Sequence, residues 1–311
     1  MRWLNVTAAG ATLAVVIWSV GTGPFLDGLH AVDGSALAAA SALAVLTTVC
    51  CAWRWRIVAR GLGVELPLGI AVAAYYRSLF LNVTLPGGVV GDVHRGLSHG
   101  RDTSDVGRGL RAVAWERSAG QVVQAVLTVT ALLILPSPVH AAVPLVALGL
   151  LAAVAGLALA ARASRRTRSR RLAGASRLAR WRGLAGRELR DGLLARRAWP
   201  AIGLASALVV AGHTATFMIA ARTAGATASV AELLPLALLV LLAAALPNIG
   251  GWGPREGVTA WAFAAAGLGA SLGVATAVVY GVMVFVASLP GAAVLVAAWI
   301  ARTRSAGVLH V

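Results

Sequence analysis

Long runs of apolar residues without charged side chains constrain this sequence more than any other feature. A helix needs roughly 20 such residues to cross the hydrocarbon core of a membrane. Charged residues make up 12% of the 311 residues, whereas a soluble domain is about a quarter charged. The chain therefore cannot cover a water-facing surface, and we predict an integral membrane protein. The uncharged or nearly uncharged runs are 4–22, 36–53, 118–135, 139–161, 198–221 and 231–247.

Two further segments complete the predicted fold. The uncharged stretch 257–301 is long enough for two helices, with a turn at Gly267 and Gly269. The apolar run 67–91 is interrupted by Arg77 and then by proline and glycine. We predict an all-α, polytopic membrane protein with about eight transmembrane helices. It forms a single transmembrane domain over 1–311, with halves at 1–161 and 198–303 joined by the basic segment 162–197.

The arginines predict the orientation of the chain, because cytoplasmic connections carry an excess of basic residues. Arginines cluster in 54–60, 95–117 and 162–197 and recur after residue 301. We therefore predict a multi-pass protein of the cell membrane with both termini in the cytoplasm. Because 54–60 and 95–117 then lie on one side, the run between them must enter and leave on that side. A re-entrant hairpin broken at Leu85-Pro86-Gly87-Gly88 satisfies this requirement.

A weak internal repeat pairs this break with a second one. The segments 85–95 and 246–256 each contain Leu-Pro, a glycine-rich stretch, an acidic residue and an arginine. Paired Gly/Pro-interrupted segments in two halves point to a substrate site near the membrane midplane. We therefore predict two re-entrant breaks in pseudo-inverted halves. Ordinary inter-helix turns are the alternative, and it stays open because Gly and Pro mark most turns.

Three motifs resemble a known family. They are Asn82-x-x-Leu85-Pro86-Gly87-Gly88-x-x-Gly91-Asp92-x-x-Arg95, then Trp115-Glu116-Arg117, and Leu246-Pro247-x-x-Gly250-Gly251-x-Gly253-x-Arg255-Glu256-Gly257. They resemble the flippase-like family that forms the transmembrane part of lysylphosphatidylglycerol synthases and also occurs as stand-alone membrane proteins. The resemblance spans roughly 5–300, and the first motif departs from the pattern by an extra glycine at Gly88.

The resemblance implies that the protein moves a modified lipid, aminoacylated or glycosylated, between leaflets. It does not specify the lipid. The full synthases carry a soluble aminoacyl-transferase domain after the membrane part. Because this chain ends at Val311, we expect no such domain and no lipid lysylation by this chain.

We predict that the substrate-binding residues lie at the two breaks and on the segments next to them. Glycine-rich backbone exposes N–H groups that favour phosphate oxygens, and arginines add charge-assisted bonds to a phosphodiester. The acidic residues either hold these arginines or meet a cationic headgroup. The alternative is that Asp92–Arg95 and Glu116–Arg117 are interfacial ion pairs that anchor helix ends. We predict no catalytic residue, metal or cofactor. The predicted site residues are Arg77, Asn82, Pro86, Gly87, Gly88, Gly91, Asp92, Arg95, Glu116, Arg117, Pro247, Asn248, Gly250, Gly251, Gly253, Arg255 and Glu256.

The basic segment 162–197 carries 13 arginines against Glu188 and Asp191. Its apolar residues recur every three or four positions, which is typical of an amphipathic helix lying on a membrane. Basic segments next to a membrane attract anionic lipid, so we predict anionic inner-leaflet lipid as a partner and no nucleic acid. A solvated loop that only fixes orientation is an equally good interpretation.

The predicted function is translocation of a phospholipid or polyprenyl-linked lipid between leaflets, without enzymatic activity. All 27 basic residues are arginines, which excludes a phosphate-loop ATP site because that site needs lysine. One alternative is a scaffold that presents lipid to a separate glycosyl- or aminoacyl-transferase. Another is a membrane-embedded lipid-phosphate enzyme with Asp92 and His94 as its acid–base pair. Whether the protein forms a homo-oligomer is left open.

His213 lies within the apolar run 198–221. A lone histidine in such a helix is usually hydrogen-bonded to a neighbour, and we favour that interpretation. A proton relay stays the alternative, because intramembrane ionisable side chains commonly have a functional role.

Overall fold

The computed structural model of the protein describes residues 23–135, 144, 148, 198–246, 248 and 252–308. The regular elements in these ranges are α-helices, which confirms the predicted fold class. The predicted run 4–22, most of 139–161 and the basic segment 162–197 lie outside the described residues. The helices are α1 (Gly23–Ala31), α2 (Gly34–Gly61), α3 (Leu68–Thr84), α4 (Val90–Asp102), α5 (Val106–Ile134), α6 (Trp199–Thr223), α7 (Val230–Ala243), α8 (Pro254–Ala265) and α9 (Ala270–Val308).

Four helices in the described part of the chain are long and apolar enough to cross a membrane. They are α2 with 28 residues, α5 with 29, α6 with 25, and the segment Ala270–Ala301 of α9 with 32. Each exceeds the roughly 20 residues that a span needs. They cover the predicted run 36–53, the runs 118–135 and 198–221 except for one end residue each, and the second half of 257–301. The total of about eight spans stays a prediction.

Acidic and hydroxyl side chains at the helix starts fix where several of these helices begin. Asp33 accepts a hydrogen bond from the Ala36 N–H at 2.6 Å, and Asp105 accepts one from the Arg108 N–H at 2.8 Å. These bonds satisfy backbone donors that have no partner inside the helix. The same bonds lower the pKa of both carboxyl groups.

The first predicted break separates α3 from α4. Its backbone turns at Gly87 and Gly88, whose φ angles are 104° and 65°, values that glycine adopts without strain. Beyond the turn the two helices are in direct contact: a Cβ on Gly91 would lie 2.0 Å from the carbonyl oxygen of Ser78. The Gly91 N–H also donates to the Asn82 Oδ1 at 2.7 Å. The helix–break–helix hairpin is therefore present, and its re-entrant position in a membrane stays a prediction.

The second predicted break separates α7 from α8. These helices have 14 and 12 residues, and each is too short to cross a bilayer alone. The structure therefore gives one full-length helix within 257–301, where the sequence has room for two. The turn predicted at Gly267 and Gly269 is present, with φ angles of 74° and 90°. Pro247, Gly250 and Gly251 lie outside the described residues.

Small residues let the long helices approach one another closely, as is common in membrane proteins. A Cβ on Gly212 of α6 would lie 2.4 Å from the Thr47 Cγ2 of α2. A Cβ on Gly291 of α9 would lie 2.1 Å from the Tyr76 carbonyl oxygen of α3. Helix α3 packs against both α2 and α9, while α4 packs against α3 and α5, and these contacts position the polar residues described below.

We expect Gly91→Ala to destabilise the protein, because the new methyl group would collide with the backbone of α3. Overpacking of this kind costs about 1–3 kcal/mol. The matched control is Gly69→Ala on α3, where nothing lies within 4 Å of the added Cβ and alanine is the better helix former. Thermal unfolding of the purified protein in detergent measures both. Equal midpoints for the two variants would contradict the close helix contact.

Candidate functional site

Five charged side chains gather between α2, α4 and α5, and we call them the first charge cluster. Four are buried, with exposed fractions of 0% for Glu116, 1% for Arg95, 4% for Arg54 and 6% for Asp92. The fifth, Arg117, has a side chain that is 40% exposed. Three arginines and two carboxylates leave the first charge cluster with one excess positive charge.

Glu116 binds donors from three other helices. Its Oε1 accepts hydrogen bonds from the Arg54 Nε at 2.9 Å, from the Arg54 Nη2, and from the Tyr75 hydroxyl at 3.1 Å. Its Oε2 accepts a bond from the Arg95 Nη2 at 3.1 Å. A buried carboxylate needs such partners, since burying an unpaired charge is very unfavourable. Glu116 therefore connects α5 to α2, α3 and α4.

Asp92 makes a second set of contacts at the start of α4. Its Oδ1 accepts bonds from the Ser78 hydroxyl at 3.1 Å and the Arg95 Nη2 at 3.0 Å. Its Oδ2 accepts bonds from the Asn82 Nδ2 at 2.9 Å and from the Arg117 Nη2. One carboxylate thus holds the two helices of the hairpin together and pairs with the exposed arginine of α5.

Arg95 lies between two aromatic rings. Its guanidinium carbon is 4.5 Å from the centre of the Trp55 ring and 4.0 Å from that of Tyr75. Its Nε and Nη1 have no hydrogen-bond partner among the described residues. Contact with the electron-rich ring faces stabilises a buried cation and keeps Arg95 in a fixed position.

Arg255 and Glu256 form a second charge cluster at the start of α8, with exposed fractions of 7% and 0%. The Glu256 Oε1 accepts bonds from the Arg255 Nε at 2.8 Å and from its Nη2, and the Oε2 accepts the Gly253 N–H at 2.6 Å. The guanidinium carbon of Arg255 is 5.8 Å from the Trp252 ring and 5.3 Å from the Tyr280 ring. This arrangement parallels that of Arg95.

The two breaks touch each other. The Gly87 N–H donates to the Asn248 carbonyl oxygen at 2.7 Å. A Cβ on Gly88 would lie 2.6 Å from the Asn248 Nδ2, so the absence of a side chain at Gly88 makes room for this contact. Beside it lies a groove of about 440 Å³, which we call the break groove. Its walls include Gly87, Gly88, Asp92, Arg117, Ala245 and Asn248.

The break groove has the size and lining of a small-molecule site. Its volume is within the range of about 300–1,000 Å³ that is typical of ligand pockets. Arg117 and Asp92 supply charge, while Val89, Val93 and Leu246 supply apolar surface. Among the described residues, no three His, Cys, Asp or Glu side chains form a group that could hold a metal ion.

The structure divides the predicted site residues into separate groups. Five line the break groove: Gly87, Gly88, Asp92, Arg117 and Asn248. Asn82, Arg95 and Glu116 lie behind it, and Gly91 makes the contact between α3 and α4. Pro86 is exposed at the break and Arg77 is half-buried on α3. Gly253 and the two residues of the second charge cluster are not among the described residues that line the break groove.

Of the two anchoring ion pairs considered from the sequence, one is present. Arg95 pairs with Asp92, but Glu116 contacts Arg54 and Arg95 while Arg117 contacts Asp92. Residues adjacent in a helix do not face each other, so Glu116 and Arg117 bind different partners.

Sequence reasoning missed Arg54, Tyr75 and Ser78. Arg54 was interpreted only as a marker of the cytoplasmic side, yet it lies inside a 28-residue helix and is buried. An ionisable residue within a spanning helix is a signal of a partner or a function. Tyr75 and Ser78 carried no such signal, because both are ordinary residues of an apolar helix.

We expect Glu116→Gln to destabilise the protein strongly, because it removes the charge that neutralises both Arg54 and Arg95. Breaking a buried ion pair in this way costs about 3–5 kcal/mol. Glu65→Gln is the control, since Glu65 is exposed between α2 and α3. Thermal unfolding in detergent compares the two. A Glu116→Gln variant as stable as the control would contradict the role of Glu116, and adding Arg54→Gln should recover part of the loss.

Comparison with known proteins matches this chain to one family. Residues 3–291 match the lysylphosphatidylglycerol synthase TM region, a membrane domain. The match includes both breaks, both charge clusters and the break groove. No curated protein matches the chain. Because the match covers most of the 311 residues, the chain belongs to the family of the lysylphosphatidylglycerol synthase transmembrane region.

Proposed function

We propose that the protein translocates a phospholipid or a polyprenyl-linked lipid between membrane leaflets by passing its headgroup through the break groove. The observation that carries this proposal is the position of Arg117. Its side chain is exposed in the groove, at the place where the two breaks touch. Membership of a membrane-domain family linked with flippase-like function supports the same proposal.

The charge of the site favours a headgroup that contains phosphate. The first charge cluster has one excess positive charge, and Arg117 is its exposed cation. A planar guanidinium can donate two parallel bonds to a phosphate, and such bonds are roughly twice as strong as those between neutral groups. A phosphodiester beside Arg117 would therefore neutralise the excess charge of the cluster.

The backbone of the break groove suits the passage of a headgroup. Gly87 has no side chain, and nothing lies within 4 Å of the place where its Cβ would be, so the groove is open beside this residue. Non-helical backbone is tolerated at membrane depth where it lines a polar cavity. The apolar residues of the groove, such as Val93 and Leu246, suit the first carbons of the lipid chains, which remain in the bilayer.

The proposal includes an orientation and a source of energy. Both termini lie in the cytoplasm of a cell-membrane protein, and the segment 162–197 binds anionic lipid of the inner leaflet. The chain has no lysine for a phosphate-loop ATP site. Translocation therefore follows the concentration of the lipid, the membrane potential, or the activity of a partner.

The enzymatic alternative is disfavoured by the contacts of Asp92. Its two oxygens accept bonds from Ser78, Asn82 and two arginines, so this carboxylate is occupied by donors. His94, the other half of the suggested acid–base pair, is exposed while Asp92 is buried.

We expect Arg117→Gln to slow lipid exchange by about 10–100-fold, because a hydrogen bond to a charged group contributes about 1.5–3 kcal/mol. The measurement is extraction by albumin of fluorescent phosphatidylglycerol from proteoliposomes of phosphatidylcholine and phosphatidylglycerol. Arg108→Gln is the matched control, since Arg108 is an exposed arginine of the same helix and is also paired with an aspartate, Asp105.

Two results would count against the proposal. One is wild-type protein that leaves the exchange rate of empty vesicles unchanged. The other is equal loss of exchange in the Arg117 and Arg108 variants. Conversion of the headgroup without exchange between leaflets would instead support the enzymatic alternative.

A further inference from the structure

Gln121 lines the break groove, although it is not among the residues predicted from the sequence. It lies on α5, four positions after Arg117, and its side chain is exposed. Side chains four positions apart on a helix are neighbours, with roughly 5–6 Å between their Cβ atoms. Arg117 and Gln121 therefore place a cation and a primary amide side by side on one wall of the groove.

The Gln121 amide makes no hydrogen bond within the part of the chain that the structure describes. Helix α5 (Val106–Ile134) is long and apolar enough to cross a membrane, and Gln121 lies near its middle. A polar group that faces hydrocarbon without a hydrogen-bond partner is unfavourable, and polar residues at such depth commonly have a function. The break groove therefore has to supply the Gln121 amide with water or with a polar ligand.

Two other polar side chains show how the protein satisfies such groups internally. Gln124, on the next turn of α5, is buried and donates to the Leu238 carbonyl oxygen of α7 at 3.2 Å. The His213 Nδ1 of α6 lies 3.3 Å from the Tyr280 hydroxyl of α9, which confirms the predicted hydrogen bond with a neighbour. Gln121 differs from both, because the surface that it lines is the break groove and not a contact between helices.

The charged groups of the groove wall narrow the chemistry of the ligand. Arg117 can bind a phosphate through charge-assisted hydrogen bonds. Asp92 is the acidic residue among the described residues of the wall, and each of its oxygens accepts two hydrogen bonds. These bonds fill the roughly four acceptor sites of a carboxylate. Asp92 therefore has no free acceptor for the ammonium group of a cationic headgroup.

A hydroxyl group is the partner that suits the Gln121 amide. The amide has one acceptor oxygen and two N–H donors, and a hydroxyl group both donates and accepts hydrogen bonds. When a polyhydroxy alcohol such as glycerol is esterified to a phosphate, its free hydroxyl groups are on the neighbouring carbons. They are then within reach of a side chain one helical turn from the residue that binds the phosphate.

We propose that Gln121 is a specificity-determining residue of the break groove and selects lipids whose phosphodiester carries an alcohol with free hydroxyl groups. This inference rests on the proposed function, because the headgroup has to enter the groove. Arg117 binds the phosphate, while the Gln121 amide accepts a hydrogen bond from the hydroxyl groups and donates one to them. Lipids of the same charge without these hydroxyl groups, and lipids with an ammonium group, are disfavoured.

The test compares two fluorescent lipids of the same charge, phosphatidylglycerol and phosphatidylethanol, whose headgroup has no hydroxyl group. Each is present in tracer amounts in proteoliposomes of phosphatidylcholine, and albumin extraction follows its exchange. The ratio of the two rates is independent of the amount of folded protein. The variant is Gln121→Leu. The control is Thr130→Val, which removes an exposed hydroxyl group of the same helix that is not among the described residues lining the groove.

We expect wild-type and Thr130→Val protein to exchange phosphatidylglycerol about 3–10-fold faster than phosphatidylethanol, the factor that one or two neutral hydrogen bonds provide. In Gln121→Leu we expect the two rates to become equal. Equal rates in the wild type would overturn the inference, as would a preference that survives in Gln121→Leu or is lost equally in Thr130→Val. Phosphatidylethanolamine that exchanges faster than phosphatidylglycerol would also overturn it.

Calorimetry on the purified protein in detergent separates this inference from the proposed function. Short-chain phosphatidylglycerol and phosphatidylethanol are titrated into the wild type and into Gln121→Leu. Tighter binding of phosphatidylglycerol that is lost in Gln121→Leu would support recognition by Gln121, even if the absence of exchange contradicted translocation. Absence of exchange together with equal binding of the two lipids would overturn both. Glycerophosphoglycerol, the same headgroup without acyl chains, should bind more weakly, and equal affinity would overturn a lipid as the ligand.

Discussion

The contacts of Glu116 determine much of the arrangement of the helices. A fully buried carboxylate is tolerated only when its charge is neutralised and its oxygens accept hydrogen bonds. Glu116 meets this requirement with Arg54, Tyr75 and Arg95, which come from three different helices. Apolar packing alone has little directional preference within a bilayer, where lipid is as apolar as the helix surface. The ionic contacts therefore specify how these four helices are placed relative to one another.

The two charge clusters follow a common plan. In each, a buried arginine pairs with a glutamate and lies near a tryptophan and a tyrosine ring. Each cluster accompanies one of the two breaks, where the backbone leaves the helical conformation and exposes polar groups. The buried ion pairs of each cluster stabilise the helix next to the break, and this helix keeps the backbone carbonyl and N–H groups of the break in position. Arg117 differs from the other arginines of the clusters because its side chain reaches the break groove.

The sequence predicted the long apolar helices and the two breaks better than it predicted the contacts between side chains of different helices. Uncharged runs and the Leu-Pro-Gly pattern report local properties, so α2, α5, α6 and the first hairpin could be placed from them. The turn at Gly267 and Gly269 was predicted, but the helix before it was wrongly expected to be a span. This helix, α8, has 12 residues, fewer than a span needs. The hydrogen-bond partners of Glu116 could not be predicted from the sequence. They depend on which faces of distant helices meet, and Arg54 lies 62 positions away in the chain.

The contact between Gly88 and Asn248 has a consequence for variation among related chains. Gly88, the extra glycine in the first motif, combines a backbone angle that disfavours other residues with a space already filled by the Asn248 amide. A side chain at position 88 would require a smaller neighbour at position 248 as well as a different local backbone. These two positions should therefore change together during divergence, although 160 residues separate them.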